Sequence, residues 1–120
     1  MKVEAKNMYK IYGIKNCDTV KKAIKELNDL NLDYEFIDFK KVSPEKNWIL
    51  RWENFWGELP ANKRGPTFRK FKDFYETSNK NDQIKLLIEN SSAIKRPILE
   101  NKENKVLALG FKIGDYKELI

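Results

Sequence analysis

A chain of 120 residues with 41% hydrophobic and 12% aromatic content is long enough for one well-filled core and too short for two. Its single cysteine excludes an internal disulfide. The complete lack of histidine removes the commonest general base, the Ser-His-Asp and Cys-His pairings and, with one thiol, a zinc site.

The formal charge of +6 comes from 24 basic and 18 acidic residues mixed along the whole chain, the pattern of a solvated surface, which speaks against nucleic acid as a partner. No stretch reaches the roughly 18 apolar residues that a membrane span needs, and no apolar core follows the N-terminus as in a leader peptide. A cytoplasmic monomer in a reducing compartment is expected.

Residues 1–8 are expected to form a loosely held, polar N-terminal extension to a domain spanning 9–120. Tyr9-Lys10-Ile11-Tyr12-Gly13 then reads as a strand and turn. Val20, Ala23, Ile24, Leu27 and Leu30 follow at the spacing of a helix with one buried face. Cys17 is thereby placed at or just before the helix start, where unpaired N–H groups and the helix dipole favour a thiolate. Lone cysteines are often small buried hydrophobes. Here the neighbours are Lys15, Asn16, Asp18 and Thr19, a polar setting in which Lys15 adds positive charge.

Asn31 and Asp33 mark a helix end, and Tyr34–Phe39 alternates apolar and acidic residues as a second strand, parallel to the first through a right-handed crossover. Ser43-Pro44-Glu45 predicts a new helix with Ser43 as N-cap and Pro44 in its first turn. On it Trp48, Ile49, Trp52, Phe55 and Trp56 form a packed face. Gly57 stops that helix, and Leu59–Pro66 is a loop holding Arg64. Pro66 starts another helix with Phe68, Phe71, Phe74 and Tyr75 toward the core, and Asp82 caps a third, buried through Ile84, Leu87 and Ile88. Two short strands around a polar turn at Glu100–Asn104 make a hairpin, Pro97 standing where no ladder N–H is needed. A last helical turn packs Tyr116, Leu119 and Ile120 inward.

The order is β-α-β, helices, then β-β-α. The two outer pieces can share one four-stranded mixed sheet: an α/β, thioredoxin-like arrangement with a helical insertion at about 44–93.

With those residues in place, four segments carry a resemblance to the arsenate reductase (ArsC)/Spx family, closest to its YffB-like branch. They are Tyr12–Thr19, Lys63–Lys70, Lys95–Ile98 and Leu109–Phe111. The resemblance implies that Cys17 is the reactive thiol and that Arg64 and Arg96 converge on it. It also implies that Pro97 is a cis proline facing the cysteine, beside backbone that pairs with a peptide or glutathione. Lys15 and Asn16 join Arg64, Arg96 and Pro97 as substrate-binding candidates, with no metal.

Two departures stand out. Arsenate reductases of this fold use a third arginine late in the hairpin, where this chain has Leu109-Gly110-Phe111. Spx regulators that sense disulfide stress need a second cysteine where this chain has Val20.

The expected activity is glutathione-dependent thiol-disulfide reduction by Cys17, with glutathione or a glutaredoxin as co-substrate, no bound cofactor, and an oxidised thiol or an oxyanion as substrate. Arsenate reduction is one alternative. The other is an Spx-like, non-catalytic regulator docking on the RNA polymerase alpha subunit, against which the short segment after the last strand counts.

Overall fold

The computed structural model describes residues 8–120; all but Met8 of the expected N-terminal extension therefore lies outside the described residues. Four strands and six helices follow one another as β1 Tyr9–Gly13, α1 Asp18–Asp29, β2 Tyr34–Asp38, α2 Lys46–Trp56, α3 Pro66–Arg69, α4 Lys72–Thr77, α5 Lys80–Glu89, β3 Ile98–Glu100, β4 Val106–Leu109 and α6 Asp115–Leu119. A 3₁₀ turn at Ser91–Ala93 closes the helical stretch. The chain divides into two compact units, one formed by residues up to Asp38 with Arg96–Ile120, the other by Phe39–Lys95.

In the first unit the strands lie in the order β2-β1-β3-β4. β1 runs parallel to β2, with Ile11 opposite Phe36, and antiparallel to β3, with Tyr12 opposite Ile98. β3 and β4 form the expected hairpin, with an irregularity between Leu99 and Glu100. This is the mixed four-stranded sheet of the thioredoxin-like arrangement. The side-chain period of two sends Ile11 and Leu99 to one face, where they join Ala23 and Leu27 of α1 and Tyr116 of α6 in a fully buried cluster. Phe111 closes it with an edge contact on Tyr116 at 4.8 Å between ring centroids.

The turn expected at Glu100–Asn104 starts one residue later, since Glu100 is the last residue of β3 and wholly buried. Asn101 organises the turn instead: its side-chain oxygen accepts from the N–H groups of Glu103 and Lys105. Of the three residues expected inward near the C-terminus, Tyr116 is buried, whereas Leu119 and Ile120 are about half exposed. A helix of five residues offers one face, and Tyr116 takes it.

The second unit is helical. α2 begins two residues later than Ser43-Pro44 suggested, with Glu45 at the N-cap position. It ends at Gly57, whose φ of 96° suits glycine and whose N–H reaches Glu53 O at 2.8 Å. Ile49 and Trp52 are fully buried, Trp52 stacking obliquely with Phe39 and Trp48, but Phe55 is exposed. The single helix expected from Pro66 is two short ones, α3 and α4, with Phe71 at the break. Phe68 and Tyr75 are buried and meet edge to face at 5.0 Å, while Phe74 is 62% exposed. The N-cap of α5 is Asn79, whose side chain accepts from the Asp82 N–H, rather than Asp82 itself.

Candidate active site

Cys17 stands where β1 hands over to α1. Its N–H donates to Ile14 O at 3.2 Å, closing a tight turn through Lys15 and Asn16, and its own carbonyl accepts from Lys21 N at 3.0 Å as the first bond of the helix. It is thus the N-cap residue, in extended conformation and without a side-chain cap bond, so the sulfur is not committed to capping. The free thiol is half-buried, and Lys15, Asn16 and Asp18 around it are exposed. The helix it heads is twelve residues long and carries one acid, Asp18, in its first turn.

Gly13 makes the handover compact. A Cβ there would come within 2.7 Å of Val20 Cγ2, so only glycine lets the strand end lie against the first turn of α1. Asp38 pairs with Gly13 across β1 and β2 and is buried at the same end of the sheet. Since β3 is antiparallel to β1 and starts at Ile98 opposite Tyr12, Arg96 and Pro97 enter the sheet at this end too. The Arg96–Pro97 peptide bond is cis, as the resemblance implied. The Pro97 carbonyl accepts from Gly110 N at 2.8 Å, which ties the entry to the end of the hairpin.

Lys15, Asn16, Cys17, Arg96 and Pro97 therefore belong to one unit and gather at one end of its sheet. Arg64 belongs to the helical unit, exposed on the loop before α3. That loop is anchored within its own unit: Asn62 N donates to Ala93 O, Lys95 N donates to Pro60 O, and Ala61 bridges Ile94. Gly65 passes so close to Asn62 that a Cβ would meet its amide nitrogen at 2.7 Å.

Three features of this unit escaped the sequence reading. The hydroxyl of Tyr12 donates to Glu100 Oε1 at 2.8 Å, a buried pair linking the two central strands. The Glu26 carboxylate of α1 accepts three N–H groups at the start of α6, from Gly114 at 2.7 Å, Tyr116 at 2.9 Å and Lys117 at 3.1 Å. Desolvation alone would raise the pKa of Glu26, but those three bonds and the Lys117 charge outweigh it and hold the carboxyl below its ordinary value. The third is Tyr116, whose buried hydroxyl has no hydrogen-bond partner. Burial, then the charges of Asp115 and Glu26, push its ionisation far up. A helical pattern identifies Glu26 as a polar position beside the apolar stripe; it carries no sign of a partner 88 residues away.

Among the described residues no group of His, Cys, Asp or Glu side chains is arranged to hold a metal ion, and no helix is long and apolar enough to cross a membrane.

The ArsC family model matches residues 12–119. The chain belongs to the ArsC family. An uncharacterized protein of Haemophilus influenzae is 37% identical over 112 residues, covering 92% of this chain and 96% of that one. Among solved structures, the YffB protein PA3664 is similar at 34% identity and a TM-score of 0.78, covering 92% of this chain and 97% of that one. A Streptococcus mutans protein described as a possible arsenate reductase is similar at 31% identity and a TM-score of 0.76, with 94% and 98% covered. The arsenate reductase of Vibrio cholerae shares the fold at 14% identity and a TM-score of 0.70, with 82% and 86% covered.

Proposed function

We propose that this ArsC-family chain is a glutathione-dependent thiol-disulfide reductase working through Cys17 alone. The observation that carries the reading is the placement of the sole thiol. It is half-buried and uncommitted at the N-cap of α1, straight after a central strand, at the sheet end where Arg96 and Pro97 also stand.

The Cys17 thiolate attacks the glutathione sulfur of a mixed disulfide. A Cys17–glutathione disulfide forms, the original S–S bond breaks, and the substrate leaves as a thiolate that takes a proton from water. The thiolate of a second glutathione then attacks the same glutathione sulfur. It releases the Cys17 thiolate and glutathione disulfide, so that the net exchange turns the mixed disulfide and one reduced glutathione into the substrate thiol and glutathione disulfide; a glutaredoxin thiol can replace that reduced glutathione. Attack at sulfur needs no general base once the thiol is ionised, which suits a chain without histidine. The guanidinium of Arg96 matches the carboxylates of glutathione or an oxyanion, with Lys15 and Asn16 on the exposed side of the turn.

The test is mass spectrometry after incubation with oxidised glutathione, paired with a glutathione-dependent disulfide reduction assay. One glutathionyl adduct on Cys17, removed by reduced glutathione, and turnover abolished in Cys17→Ser are expected. An unmodified Cys17, or equal turnover by Cys17→Ser, overturns the reading.

Arsenate reduction is the second reading, favoured by the description of the Streptococcus mutans relative. Leu109-Gly110-Phe111 supplies no arginine at the end of β4 to hold a third arsenate oxygen. The expected outcome with arsenate and glutathione is no arsenite.

A further inference from the structure

The even mixture of charges along the chain hides one concentration of net charge. Between Arg64 and Lys72 there are four cations, Arg64, Arg69, Lys70 and Lys72, and no acid. These nine residues thus hold +4 of the formal +6, leaving +2 for all the rest. All four are exposed, and none of their side chains makes an ion pair or hydrogen bond among the described residues. Three cations elsewhere in the helical unit are matched: Lys63 meets Glu58 at 3.4 Å, Lys80 meets Glu53 at 2.8 Å, and Lys95 lies over the Trp56 ring. The segment is also held in shape, by the anchored loop before it and by Phe68, Phe71 and Tyr75 packing against one another beneath it.

We propose that Arg64–Lys72 is a docking surface for an acidic protein segment, its carboxylates taken by the two guanidinium groups and the two flanking ammonium groups. Guanidinium forks match carboxylates two bonds at a time, and a rigid support lowers the ordering cost of binding. Single-stranded nucleic acid fits less well, because binding there needs aromatic faces for the bases beside the cations. Phe68 and Tyr75 are buried and Phe71 is engaged with both. The exposed ring, Phe74, lies outside Arg64–Lys72 and lines a groove with Asp82, Lys85, Leu86 and Glu89. The proposal is independent of Cys17 chemistry: Cys17→Ser should bind as the wild type does.

The experiment is fluorescence anisotropy of a labelled Glu/Asp-rich peptide of about ten residues, in salt of about 0.15 M and above, against an oligothymidylate of equal length. The variants are Arg69→Gln/Lys70→Gln/Lys72→Gln and, as a control with the same loss of charge elsewhere, Lys102→Gln/Lys105→Gln/Lys112→Gln. All six side chains are exposed, so both proteins should fold, which circular dichroism checks. Expected are peptide binding that weakens with salt, a loss of about tenfold in the first variant and less than about twofold in the control. No peptide binding, equal weakening in both variants, or tighter binding of the oligothymidylate overturns the proposal.

Discussion

The sheet unit and the helical unit bury their side chains by different means. In the sheet unit, contacts distant in sequence do the work. β1 pairs with segments about 25 and 90 residues away, one face forms a closed cluster around Ile11, and Glu26 of α1 receives the start of α6. In the helical unit the helices run from four to eleven residues, and most ring contacts join near neighbours in sequence, with Phe39 on Trp52 the longer reach. A residue there is buried only if its short helix has a partner on that side. Trp52 and Phe68 are covered; Phe55 and Phe74 are left exposed. The apolar count of a segment therefore overstates burial where helices are short, and it holds where one long stripe covers a sheet.

The sharpest way to break this contrast is substitution within the helical unit. Trp52→Ala should cost about 3–5 kcal/mol in urea unfolding, since its ring is fully buried between Phe39 and Trp48. Phe74→Ala should stay within about 0.5 kcal/mol, because most of its ring already faces water. Comparable losses for the two would mean that the exposed aromatics are as structural as the buried ones.

At the sheet end, Gly13→Ala should cost about 1–3 kcal/mol. The new methyl meets Val20, a β-branched residue with little freedom to move. Because that contact fixes the head of α1, Cys17 glutathionylation should slow with it, which rate measurements by mass spectrometry would show.

Glu26→Gln probes the long-range cap and should cost about 1 kcal/mol, a modest figure because solvent screens the carboxylate. The sign with pH follows from its depressed pKa. The contribution is present above the ordinary value of 4.5 and is lost as pH falls through the lower folded value, so wild type and variant should converge in acid. A gap unchanged down to strongly acidic pH would show that charge is not involved.

The smallest effect is expected from Tyr116→Phe, neutral or stabilising by up to about 1 kcal/mol, since it deletes a buried hydroxyl that has no partner. Each unit also holds a tyrosine raised by burial. Tyr75 is pushed up to about 12, by desolvation and then by Glu58 and Glu53, and Tyr116 moves the same way. Both contributions are complete below the ordinary value of 10.0 and are lost as pH rises toward the folded values, so each tyrosine to phenylalanine variant should flatten the fall in stability above that pH.

Much of the sheet unit was legible before any coordinates. Tyr9–Gly13 and Tyr34–Asp38 announce themselves by composition and alternation, and α1 by its stripe from Val20 to Leu30. The Cys17 turn followed from where those two patterns meet. Glu100 was not legible, because a charged residue beside Asn101 reads as turn until Tyr12 is found to meet it. In the helical unit the break at Phe71 and the exposure of Phe55 and Phe74 were hidden, because periodic aromatics look alike whether or not a neighbour covers them.

Residue types and their spacing already set the chemistry open to this protein: one thiol at a strand-to-helix turn, no histidine, no second cysteine, and arginine next to proline ahead of the hairpin. They did so because both are properties of the chain. Tertiary structure alone decided that the hairpin enters the sheet at the Cys17 end, that Glu26 caps a helix far along the chain, and which aromatics are covered. Those depend on pairings between segments distant in sequence, whose free energy exists only when the partner is in place.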